Sequence, residues 1–220
     1  MNIITTLNKH PFNPAFLLAT LKKRPKLNEA FTTRIRHYVL ERHTFLVMTE
    51  YEKYFSFRNT PVGIDKSSFR LMLALHDVGK SEAHNKKQKS LQYYYTLKMI
   101  EEIKPILPLS KETLKLVTSI ISFDPIGLYF QDKISLENSI TQIKAKHKET
   151  NLELKHFFNI LMIYYQVDIA SYTKDAGGIP FLEHLFEYEG NKKKFEKSYG
   201  LLKFASREEK KFIILQKKLL

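Results

Sequence analysis

The chain has 220 residues, of which 43% are hydrophobic and 27% charged, with a formal net charge of +13. That supplies one sizeable core, for one large domain or a domain with an appendage, and seven glycines and eight prolines are too few for a turn-rich all-β protein. With no cysteine, disulfides, thiolate metal sites and cysteine nucleophiles are excluded, and the positive charge favours anionic partners.

The N-terminal stretch MNIITTLNKHPFNP has no charged start leading into a long apolar run, so no signal peptide is read there. No later run reaches the roughly 18 to 20 apolar residues of a membrane span. A cytoplasmic location is expected, with signal-independent export left open. Asn13 followed by Pro14 predicts a helix start. Asn28 to Phe55 reads as one long helix, with Phe31, Ile35, Val39, Leu46 and Tyr54 close to one face. Pro61 and Gly63 mark a loop. A helix is expected from about Ser67 to Val78, stopped by Gly79.

A polar loop then leads to a helix from about Lys87 to Ile103, closed by Pro105 and Pro108. Ser110 caps the next, which runs to about Phe123 and is broken by Pro125 and Gly127. Two more follow, roughly Leu136 to Lys148 and Leu152 to Tyr172. DAGGIP is a clear break, and IPFLEHLFEYEG is a short strand or a helical turn. Arg207 to Leu219 is the last helix; it packs on the core, caps a pocket or mediates dimerisation. The expected fold is an all-α helical bundle over residues 1–178, with 179–220 as an extension packed on or beside it.

One stretch stands out. In LALHDVGKSEAHN, His76 continues the stripe of Phe69 and Leu73, so its imidazole points inward; Asp77 lies about 100° further round. Two inward polar groups are expensive to desolvate unless both are satisfied, and a divalent cation satisfies both. His43 falls in line with Ile35, Val39, Leu46 and Glu50. Asp168 follows Leu161 and Tyr165 and precedes Tyr172 on another apolar stripe. Taken singly, each has a bland reading as a core histidine on a carbonyl or an aspartate on a hydroxyl. Together they form an N2O2 donor set with room for water and substrate.

The order His, His-Asp, Asp, carried by ERHTFLVMTEYEKYF, LALHDVGKSEAH and YQVDIASY, resembles the HD superfamily of metal-dependent phosphohydrolases over about residues 28–173. The resemblance implies an all-α fold, hydrolysis of phosphoester or phosphoanhydride bonds in nucleotides, and His43, His76, Asp77 and Asp168 as ligands. There are departures. Guanosine tetraphosphate hydrolases of the superfamily carry an acidic pair where this chain has Lys80 and Ser81, and the Gly-Tyr-Pro signature of the cyclic-di-GMP branch is absent. The QYYYTL segment offers tyrosines where two-metal members use histidine, which favours one ion over two.

The expected activity is therefore a phosphohydrolase or phosphodiesterase acting on a nucleotide or other small phosphate ester through a metal-activated water. The donors suit Mn2+, Fe2+, Co2+, Ni2+, Zn2+ or Mg2+. Asp77 orients the water or takes its proton, and Lys80 neutralises a phosphate oxygen. His84 and Lys87 line the mouth on this reading. Glu50 is either support for a ligand or a salt-bridge partner. Asp124 is an extra ligand, a substrate contact or simply a turn former before Pro125. The competing reading is a non-catalytic module that holds nucleic acid or an acidic protein on its basic surface, although no nucleic-acid-binding signature is visible.

Overall fold

Side-chain caps fix half of the α-helix starts among the described residues. Asn2 opens α1 (Ile3–Leu7), and Asn13 opens α2 (Pro14–Leu21) by accepting from the Ala15 N–H. α3 (Pro25–Thr32) follows, with Pro25 at its first turn. The computed structural model describes residues 2–35, 38–58, 61–172 and 180–220. The fold is all-α, and among the described residues the only strands are two-residue pairs in small hairpins.

The long helix expected over Asn28–Phe55 is instead two helices. α3 stops at Thr32, Thr33 turns extended, and β1 (Arg34–Ile35) pairs antiparallel with β2 (Tyr38–Val39) before α4 (Leu40–Tyr54) begins. Thr33, Ile35 and Val39 are β-branched and stiff at χ1, which suits extended backbone. The face reckoned from Ile35 and Val39 therefore does not exist. α4 turns His43 inward on its own stripe, with Leu40, Val47, Met48, Tyr51 and Tyr54 buried beside it.

α5 (Lys66–Leu75) starts at Asp65, which accepts from the Ser68 N–H at 2.9 Å. Every residue from Ser68 to Leu75 is buried, so α5 runs through the middle of the bundle. It ends three residues earlier than expected, and His76–Gly79 form a turn into α6 (Lys80–Asn85). Gly79 is not a left-handed stop, since its φ is −82°. A Cβ there would lie 2.0 Å from the Thr96 backbone nitrogen, and the Gly79 N–H donates to Thr96 Oγ1 at 3.1 Å. The glycine lets the turn lie against α7 (Gln92–Ile103), which starts five residues later than expected, after Lys87 at a φ of 57° and a 3-10 turn over Lys89–Leu91.

α8 (Lys111–Ile121) has the expected Ser110 cap. Pro125 does not simply break it. Asp124 caps a further helix, α9 (Pro125–Phe130), with Pro125 at its first position. α10 (Leu136–His147) and α11 (Leu154–Ala170) match their expected cores. The break expected at Asp175–Ile179, and with it the 178/179 boundary, lies outside the described residues. Beyond it come a 3-10 turn (Pro180–Leu185), the hairpins β3 (Tyr188–Glu189) with β4 (Lys192–Lys193) and β5 (Phe195–Glu196) with β6 (Leu201–Leu202), and α12 (Ser206–Leu219).

This C-terminal segment packs into the same core as the bundle: Phe186, Leu202, Phe204, Phe212, Leu215 and Leu219 join one contiguous apolar cluster with α11. Buried Gln166 of α11 donates to the Leu202 carbonyl at 2.7 Å and accepts from its N–H at 2.8 Å. α4 packs against both α5 and α11. Among the described residues no helix is long and apolar enough to cross a membrane.

Candidate metal centre

Three elements deliver four donors to one point. His43 comes from the first turn of α4, His76 and Asp77 from the turn after α5, and Asp168 from the last turn of α11. One ligand atom from each lies within 4.8 Å of all the others. His43 Nε2 is 3.3 Å from His76 Nε2, 3.3 Å from Asp77 Oδ2 and 3.1 Å from Asp168 Oδ1. His76 Nε2 is 3.2 Å from Asp77 Oδ2 and 3.5 Å from Asp168 Oδ1. His43, His76 and Asp77 are buried, while the Asp168 side chain keeps 26% of its surface, so the centre meets solvent at that edge.

The outer nitrogens set the tautomers. The His76 Nδ1–H donates to the Leu73 carbonyl at 2.7 Å. Ser171 Oγ donates to the Asp168 carbonyl at 2.6 Å, which leaves its lone pair to accept from the His43 Nδ1–H at 3.1 Å. In the neutral imidazoles both Nε2 atoms thus turn lone pairs inward, an arrangement typical of metal-ligating histidine. Asp77 Oδ2 and Asp168 Oδ1 face them and accept no hydrogen bond of sound geometry. Buried polar atoms are rarely left so, and a single divalent cation satisfies all four.

The electrostatics agree. Burial opposes a charged His76, but Asp77 and Asp168 outweigh it and raise the imidazole to about 10. Burial pushes both carboxyls up as well; the histidines, with Lys80 beside Asp77, overcome it and hold both well below the usual carboxylate range. The cluster demands positive charge at its middle.

Lys80, the first residue of α6, reaches the centre: its Nζ stands 2.5 Å from Asp77 Oδ2. Asp124 does not join the donors. Its Oδ1 accepts the Gly127 N–H at 2.8 Å, and burial first, then the Asp168 charge, raise its carboxyl to about 7. Glu50 resolves as a salt-bridge partner, 3.0 Å from Lys193 Nζ. His84 and Lys87 do not approach the donors. Both are exposed, at the end of α6 and just past it.

Sequence reasoning did not pick out Ser171 or the aromatic wall. Tyr38 and Tyr172 flank His43 with ring centroids at 5.2 and 4.6 Å, and Tyr164 meets His76 edge-on at 5.9 Å. Burial raises all three phenols, so they stand as neutral groups around the centre. The signal for Ser171 and Tyr172 was their place three and four residues after Asp168, one helical turn on. Comparison of the chain with family models, curated proteins and solved structures finds no match.

Proposed function

We propose that this chain is a metal-dependent phosphohydrolase or phosphodiesterase of HD type, acting on a nucleotide or another small phosphate ester. The observation that carries the reading is the convergence of two imidazole nitrogens and two buried carboxylate oxygens that accept no hydrogen bond of sound geometry, with Lys80 ion-paired to one of them, Asp77 Oδ2. The sequence order His43, His76-Asp77, Asp168, with its resemblance to the HD superfamily, supports it. Four donors within one coordination sphere, with no second such group among the described residues, favour a single ion. Nitrogen and oxygen ligands suit Mn2+, Fe2+, Co2+, Ni2+, Zn2+ or Mg2+.

A divalent ion supplies Lewis acidity there, lowering the pKa of water and polarising a phosphoryl oxygen. The protein's own groups do the rest. Lys80 sets an ammonium beside the donors, where it neutralises a phosphate oxygen and the charge that grows on it during attack. Asp77, held ionised by His76 and Lys80, fixes the direction of the attacking water through a carboxylate oxygen; its lowered pKa makes it a better orienter than base. Tyr38 and Tyr172 pack against the His43 ring and Tyr164 against His76, and so screen the imidazoles from water.

The test is a panel of chromogenic phosphomonoesters and diesters plus nucleotides, run with each metal. Wild type is expected to hydrolyse at least one, Asp77→Ala none, and Lys80→Ala at a rate roughly 100-fold lower, as for loss of one charge-stabilising donor. No hydrolysis by wild type with any metal sinks the enzymatic reading. Protein that neither retains a divalent ion nor gains thermal stability from added Mn2+ sinks the metal centre as well.

A further inference from the structure

A second concave site lies between the end of α4 and the C-terminal hairpins. It is a cleft of about 720 Å3 that shares no lining residue with the His/Asp centre. That volume is in the range of small-molecule pockets. Lys53 and Arg58 enter it from the end of α4 and the turn beyond, and Lys192 and Lys197 enter from the hairpins. Among the described residues, none of these four cations forms an ion pair with a carboxylate.

Their neighbours are aromatic instead. Lys53 Nζ lies over the Tyr54 ring at 4.8 Å, and the Arg58 guanidinium lies over Phe195 at 5.3 Å. Ring faces hold a cation in place without neutralising it. The floor is built: Lys193 Nζ bonds Glu50 Oε2 at 3.0 Å and the Ala170 carbonyl at 3.2 Å, and its backbone N–H donates to the Tyr54 hydroxyl at 3.0 Å. Lys193 is thus spoken for. The four others face the cleft against one acidic residue, Glu189, and leave a net charge of about +3 around one half-open cleft. Cations that converge from several elements match a short ligand carrying several negative charges.

We propose that this cleft binds an oligophosphate chain, either the triphosphate of a nucleotide or inorganic polyphosphate, at a site separate from the metal centre. The geometry favours such a ligand over nucleic acid, because the four unpaired cations line one cleft of small-molecule size. The proposal does not depend on hydrolysis at the other site.

The test is titration calorimetry of the full chain with inorganic tripolyphosphate, with and without a metal chelator. Binding is expected in both conditions, weakening with added salt. The double variant Lys192→Gln/Lys197→Gln, changed at exposed positions, is expected to fold as wild type by circular dichroism and to bind at least about tenfold more weakly. Adenosine and guanosine triphosphates separate the two sources. Tighter binding than tripolyphosphate identifies a nucleotide site, and equal binding a site that reads the phosphate chain alone. Three results overturn the proposal: no tripolyphosphate binding, binding that disappears with chelator, or a double variant that binds as wild type. A short single-stranded RNA that binds where tripolyphosphate does not also overturns it.

Discussion

A metal ion held by the four donors would compete with a proton for Nε2 of His76. When no metal is bound, a proton on Nε2 supplies the positive charge that Asp77 and Asp168 demand, which is why the imidazole is raised to about 10 against an ordinary 6.5. A raised pKa means that the protonated form contributes stability in full below about 6.5, and that this contribution fades as pH rises toward 10. Chelated protein is therefore expected to lose melting temperature from about pH 6.5 to about pH 9, while the gain produced by added divalent metal grows across the same window. Thermal scans with chelator and with Mn2+ check this, and a pH-independent gain would contradict it. Ser171 gives a second residue-scale prediction. Ser171→Ala removes the acceptor for the His43 Nδ1–H and frees the wrong tautomer, so metal affinity should fall about 10- to 100-fold with the fold retained. Calorimetry with Mn2+ measures it. The four donors were legible because an imidazole or carboxylate on an apolar stripe is costly and conspicuous. Ser171 was not, because a serine at a helix end is ordinary, and its partner His43 lies 128 residues away in the chain.

Elements were legible where local chemistry decides them, and misread where tertiary contact does. Asn13, Ser110 and Ser135 cap helices through their own side chains, so α2, α8 and α10 start where the residues say. The hairpin between α3 and α4 was missed because two-residue strands carry no measurable period. Reading α3 and α4 as one helix still turned His43 inward, because α4 alone carries the stripe that includes it. Gly79 was read as the stop of α5, but α5 ends at Leu75 and Gly79 stands at the start of α6. The position needs glycine because α7 comes too close for a side chain: a Cβ would meet Thr96 N at 2.0 Å and the Tyr95 carbonyl carbon at 2.4 Å. Both are backbone atoms that cannot swing aside. Gly79→Ala must therefore push the His76–Gly79 turn away from α7, at a cost of about 1–3 kcal/mol or more. The same shift displaces His76 and Asp77, so urea unfolding and metal affinity should deteriorate together. A variant with wild-type stability would show that the turn has slack.

At the scale of the whole molecule, the C-terminal segment decides whether the centre belongs to one cooperative unit. The sequence permitted packing on the bundle or beside it, since the period of Arg207–Leu219 shows an apolar face without naming what covers it. The face meets α11: Phe212 stacks on Phe158 at 6.5 Å, touches Phe204 at 6.0 Å and is 2% exposed. Gln166 and Lys193 add polar ties, the first to Leu202 and the second to Glu50 on the helix that carries His43. α11 itself bears Asp168 near its end. Loosening α12 therefore loosens the scaffold of a metal ligand. Phe212→Ala, which empties a buried ring site, should cost about 3–5 kcal/mol. The loss is expected in a single calorimetric transition, shifted as a whole, with secondary structure and Mn2+-dependent stabilisation disappearing at the same temperature. An appendage folded on its own would behave differently. It would melt first, in a separate transition, and leave the Mn2+ response of the His/Asp centre intact at higher temperature.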